Sequence, residues 1–266
     1  MKRLSLLLVI LFALALIAAL SSCTGGSGGN ADSGIEAAPQ NDYSFLVCGD
    51  PHGRTDLLDR IAAQARPGEF LVVVGDVTTG TGLQEMQKMK TFLDSTGLTY
   101  HVIPGDNDMP GGAASDFRHV FGADYYSLDF QDSHLVFLDD AMEGTGCPAD
   151  ELSWLQQDLA GAAGKVVIAF AHVPPGAPVE MSDAEDTGRE VGSGQQMLAL
   201  LRDANCAVVY SGHLHAYLVY SSGPPRIIVT GGAGAHLHLS PENGGYYHFL
   251  RVTVKGGQVT EEVIRL

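Results

Sequence analysis

The sequence predicts an α/β fold with two packed, partly mixed β-sheets and helices on their outer faces. Three observations carry that expectation. Short apolar runs at residues 44–47, 70–74, 100–103, 166–170 and 207–210 are bounded by turn residues and have the length of buried strands. Helical windows alternate with the early runs, as in the βα units that build a parallel sheet. The middle and the end of the chain change rhythm to strand following strand, so the sheets should be mixed.

The first stretch stands apart from that fold. Lys2 and Arg3 precede an apolar run to Leu20, broken only by Ser5 and ending in Leu20-Ser21-Ser22-Cys23. A charged segment, an apolar segment and small residues before a cut describe an export signal. The ending resembles a bacterial lipobox, which implies lipidation of Cys23. Residues 1–22 are therefore expected to be a lipoprotein signal peptide, and 23–42 the lipidated cysteine with a flexible linker rich in Gly, Ser, Asn and Ala. That organisation implies an exported domain, lipid-anchored to the extracytoplasmic face of a bacterial membrane. An uncleaved anchor is the alternative, the run being near the lower limit for a span.

Residues 43–266 read as one domain, long enough for a full core and without an internal repeat. Within it, residues 54–65 put Leu57, Leu58, Ile61 and Ala62 on one helical face, and residues 83–93, 151–159 and 195–201 read similarly. Residues 125–130 and 134–138 suggest a hairpin around Gln131-Asp132-Ser133. Residues 226–230, 246–254 and 259–264 continue as strands, with Gly256-Gly257 as a turn.

The chain has 15 Lys and Arg against 31 Asp and Glu, and loss of Lys2 and Arg3 with the signal leaves a net charge near −18. It shows no Lys/Arg cluster of the kind that forms a nucleic-acid footprint. An acidic protein handling anionic substrates needs positive charge from elsewhere, which bound metal would supply. Cys48, Cys147 and Cys206 leave one disulfide possible without choosing a pair; Cys48 and Cys206 sit in strands and read as buried apolar residues. No Cys-x-x-Cys spacing points to zinc or redox chemistry.

The chemistry lies immediately after the apolar runs. Asp50-Pro51-His52, Gly75-Asp76, Gly105-Asp106-Asn107-Asp108, His172 before Val173-Pro174, and Gly212-His213-Leu214-His215 appear in that order. Two ligands at i and i+2 in extended backbone face the same side. Asp and His without thiolates suit borderline-to-hard divalent ions. Each signal alone is common: Gly-Asp after a strand is ordinary turn chemistry, and a lone buried histidine is usually a hydrogen-bonded structural group. Five in this order, all at strand ends, make coincidence a poor explanation.

With these motifs the chain resembles the calcineurin-like metallophosphoesterases, from residue 45 to at least His215, with Gly231-Gly232-Ala233-Gly234 also similar. The resemblance implies a four-layer αββα sandwich, two mixed β-sheets flanked by helices, and two divalent or Fe/Mn/Zn-type ions. Asp50, His52 and His215 would hold one ion, Asp76 would bridge, and Asp106, His172 and His213 would hold the other. It also implies phosphoester hydrolysis by a metal-bridging hydroxide. Asn107 and Asp108 of the third motif become the candidate catalytic residues.

That third motif departs from the family pattern, Gly-Asn-His followed by Asp or Glu. Asp106 in place of Asn adds a negative charge and should weaken the Lewis acid and its hold on dianionic monoesters. Asn107 in place of His can bond a phosphate oxygen but cannot serve as a general acid at neutral pH. Three explanations stay open. The leaving group departs unassisted, His236 or His238 supplies the proton, or the site binds ligand with little turnover. His236 and His238 read equally as exposed strand-edge histidines, and His101, His119, His134 and His248 as structural or surface groups. The alternatives to a general phosphoesterase are a cyclic-nucleotide phosphodiesterase, a protein phosphatase, or a catalytically weak metal- or phosphate-binding lipoprotein. Substrate choice should lie in the loops 80–89, 142–150 and 174–190. Oligomeric state is open.

Overall fold

The computed structural model describes residues 42–80, 82–109, 114–141, 146–176, 193–221 and 223–266. The expected signal peptide, Cys23 and nearly all of the linker lie outside these residues, as do parts of the three expected specificity loops.

The first apolar runs become β1 (Tyr43–Cys48), β2 (Leu71–Val74) and β3 (Tyr100–Ile103), paired in parallel. Helices α1 (Thr55–Ala62) and α2 (Leu83–Ser95) follow the first two, and α3 (Ser115–Phe121) follows the third. The hairpin strands are β4 (Tyr126–Phe130) and β5 (Ser133–Phe137). Ser133 pairs with Phe130, so the turn is the two residues Gln131 and Asp132, one shorter than expected, with Gln131 at φ 53°. The chain continues through α4 (Ala149–Ala160), β6 (Val166–Phe170), α5 (Ser193–Asp203), β7 (Val208–Ser211), β8 (Tyr217–Ser221) and β9 (Arg226–Thr230). It closes with the antiparallel pair β10 (His248–Lys255) and β11 (Gln258–Arg265).

Two mixed sheets result. One runs β11-β10-β1-β2-β3, the other β4-β5-β6-β7-β9-β8. Strand alternation explains the layering. Phe45, Val47, Val72, Val74 and Ile103 face Phe137, Ile168, Phe170, Tyr210 and Ile228 across the inter-sheet core. The intervening Leu46, Cys48, Leu71 and Val73 meet Leu58, Ile61, Met86, Met89 and Phe117 of α1 to α3. On the far side, Val136, Val167, Ala169 and Val209 meet Leu155, Leu159, Met197 and Leu201 of α4 and α5. The order is therefore αββα. Strands buried on both faces read as unbroken apolar runs, which is why the sequence displayed them so clearly. Cys48, Cys147 and Cys206 are all free and buried.

Candidate metal centre

The strand ends bring seven of the expected residues together. Asp50 and His52 follow β1, Asp76 follows β2, Asp106 follows β3, His172 follows β6, and His213 and His215 follow β7. Their side chains form two groups, one of Asp50, His52, Asp76 and His215, the other of Asp106, His172 and His213. Within each group one donor atom per residue lies within 4.8 Å of all the others. Asp76 stands between the groups. Its Oδ2 is 3.1 Å from His52 Nε2, and its Oδ1 is 3.5 Å from His172 Nε2. Asp106 Oδ1 lies 3.1 Å from His172 Nε2 and 3.2 Å from His213 Nδ1.

The backbone is bent to achieve this. Among the described residues seven non-glycine positions have positive φ, and five of them are Asp50, His52, Asp76, His213 and His215. Such conformations cost about 1 kcal/mol or more each, and they cluster where function demands a direction. Close approach adds a second demand. A Cβ on Gly105 would overlap Asp76 Oδ1, and one on Gly212 would overlap Asp50 Oδ2.

Surrounding groups fix the imidazoles. His172 donates from Nδ1 to the Val74 carbonyl (2.9 Å), leaving Nε2 turned toward Asp106. His215 likewise donates from Nδ1 to the His236 carbonyl (2.9 Å), leaving Nε2 toward Asp50. The buried Asp140 accepts from the backbone N–H groups of His172 (2.7 Å) and Val173 (3.2 Å). The His213 N–H donates to Asp50 (3.0 Å), which ties the two groups together. A histidine whose second ring nitrogen is held by a carbonyl is oriented as metal-binding histidines are.

The electrostatics ask for a cation. Burial raises the carboxyl of Asp106, yet His172 and His213 outweigh it and hold the group well below the usual carboxylate range. Burial likewise opposes ionisation of Asp76, and His172 and His52 reverse it. His172 is fully buried; burial disfavours its charge, but Asp76 and Asp106 hold it well above its ordinary range. Acids and imidazoles this close stabilise positive charge between them, and a divalent ion would supply it. Donor type, orientation and electrostatics all fit metal.

The two candidate catalytic residues fare differently. Asn107 is half-buried beside Asp76, donating from its backbone N–H to Oδ1 (3.0 Å) and from its side-chain amide to Oδ2 (2.7 Å). Asp108 is buried below the loops. Its Oδ2 accepts from the N–H groups of Val77 and Gly105 (both 3.0 Å), and its Oδ1 from Thr78 N–H (2.9 Å) and Oγ1 (2.8 Å). Burial, then Asp76, push its carboxyl up to about 6 despite these donors. At 1% exposure it has no face open to a substrate, so the expectation of a catalytic Asp108 is corrected to one that holds the β2 and β3 loops.

One further contributor, Asp140, was not singled out in the sequence, and the His236–His238 segment, weighed there as a proton source or as exposed histidines, also contributes. Asp140 follows β5 as the ligand candidates follow their strands, and that strand-end rule would have found it. The His236–His238 segment reaches the site: besides the His236 carbonyl, the His238 ring stacks on His215 with centroids 5.1 Å apart. Of the remaining histidines, His134 bonds Asp129 and Asp158, and His101 bonds Tyr126.

Residues 43–217 match the family model described as calcineurin-like phosphoesterase. The chain belongs to that family. Among curated relatives it is similar to a probable cyclic nucleotide phosphodiesterase of Fibrobacter succinogenes, 24% identical and covering 61% of this chain. A glycerophosphodiester phosphodiesterase of Enterobacter lignolyticus is also 24% identical and covers 61%. The match spans somewhat less than two thirds of those relatives, 63% and 62% of their lengths. Among solved structures, a purple acid phosphatase from yellow lupin (Lupinus luteus) seeds superposes with a TM-score of 0.69. Its identity is 13%, over 85% of this chain and 52% of that one. That likeness is one of fold, and it agrees with the four layers and the two mixed sheets.

Proposed function

We propose that the chain is a metal-dependent phosphoester hydrolase with a dinuclear centre, Asp50, His52 and His215 holding one ion, Asp106, His172 and His213 the other, and Asp76 bridging. The observation that carries this reading is the pair of donor groups with Asp76 between them. Bound there, two divalent ions of the iron, manganese or zinc type would lower the pKa of a shared water to a hydroxide nucleophile and offset charge on the phosphoryl oxygens.

The chain's own residues do the rest. Asp140, the Val74 carbonyl and the His236 carbonyl hold the imidazole ligands in direction. Asp108 fixes the loops that carry Asp76 and Asp106. Asn107 lines the site as a hydrogen-bonding group whose amide cannot give up a proton to a leaving oxygen. Three carboxylates leave a less positive centre than two would, which favours monoanionic diesters over dianionic monoesters. The phosphodiesterase names of two relatives support the same class. Export and lipid anchoring through Cys23 belong to this reading on the sequence alone.

Hydrolysis of aryl phosphodiesters and monoesters by the manganese-loaded protein, beside Asp76→Ala, tests it. The diester should turn over faster, and the variant should lose about a hundredfold or more. A metal-loaded protein that hydrolyses neither ester would sink the reading.

A further inference from the structure

The two donor groups, counted with the aspartate between them, are chemically alike. Asp50, Asp76, His52 and His215 give two carboxylates and two imidazoles, and Asp106, Asp76, His172 and His213 give the same. Asp106 completes the second set. Its side chain is about three-quarters buried, and one oxygen sits within 3.2 Å of both His172 Nε2 and His213 Nδ1. An asparagine there would fill nearly the same volume and keep a carbonyl oxygen, but would leave the second set with a single negative donor.

Charge has two opposed effects at such a place. Each carboxylate strengthens the hold on a hard or borderline cation, because affinity follows the charge count of the ligands. It also offsets the field that the cation exerts on a phosphoryl oxygen and on the nucleophile. Taking both groups as metal sites, as proposed above, we propose that Asp106 is a metal-retention residue: it brings the second site up to the donor charge of the first and lowers the Lewis acidity of the pair.

Asp106→Asn separates these effects, because affinity and turnover should move in opposite directions. Wild type and variant would be stripped of metal, checked by thermal melting, and titrated with Mn2+ in equilibrium dialysis. Turnover of an aryl phosphodiester would then be measured at saturating Mn2+. Wild type should bind two ions. The variant should bind one ion as wild type does and the other about tenfold or more weakly. Its turnover once saturated should exceed that of wild type. Unchanged affinity at both sites would overturn the inference, as would weaker binding without a rise in saturated turnover, a fall being the mark of a merely structural aspartate. Fewer than two ions on wild type would overturn the dinuclear reading, and this inference with it.

Discussion

Asp76 and Asp108 are both buried aspartates in adjoining loops, yet their surroundings give them opposite tasks. Asp76 turns its oxygens toward imidazoles of both donor groups, with Asn107 as its remaining partner. Asp108 turns both oxygens to backbone N–H groups and a threonine hydroxyl. Replacing Asp108 by Asn sets a donor amide against buried donors and leaves at least one of them unmet. The expected loss is about 3 kcal/mol, read by urea unfolding of the metal-loaded protein; a loss under about 1 kcal/mol would refute the clamp. The sequence made the acids at strand ends visible, because residue type and position suffice for that. It did not separate a ligand candidate from a clamp. That distinction depends on where backbone N–H groups from a loop 31 residues away arrive.

At the scale of elements, β10 supplies a testable histidine that belongs to neither donor group. His248 is fully buried, donates from Nδ1 to the Tyr246 carbonyl and accepts at Nε2 from the Thr230 hydroxyl. Both nitrogens are satisfied by the neutral ring, and burial pushes its pKa down to about 4. The unfolded chain binds this proton near pH 6.5 and the folded chain only near 4. Stability is therefore complete above about pH 6.5 and falls as the pH drops from there toward 4. The loss amounts to about 3 kcal/mol at most. His248→Gln should flatten that part of the stability–pH curve, and an unchanged curve would show that the proton is taken up elsewhere.

The elements themselves were largely legible. β3 and β6 match their apolar runs residue for residue, and the four expected helices are present within a few residues of their windows. The exceptions have physical reasons. α3 has seven residues and buries only Phe117 and Val120, too few for a helical period to show. β8 is an edge strand directly behind the histidine motif, pairing among the described residues only with β9.

For the whole molecule, the fold works by aligning strand ends. Three parallel strands of one sheet deliver Asp50, His52, Asp76 and Asp106, and two of the other deliver His172, His213 and His215. Each donor group draws on both sheets, so the sandwich must be assembled for either to exist. Ions that bind only the assembled state would therefore stabilise it. The most direct measurement is the metal content per chain of the wild type, His215→Ala and His172→Ala, each saturated with Mn2+ and freed of excess. Two ions are expected in the wild type and one in each variant, since each loses a donor from a different group. Two ions retained in either variant, or fewer than two in the wild type, would contradict a centre built from these seven side chains.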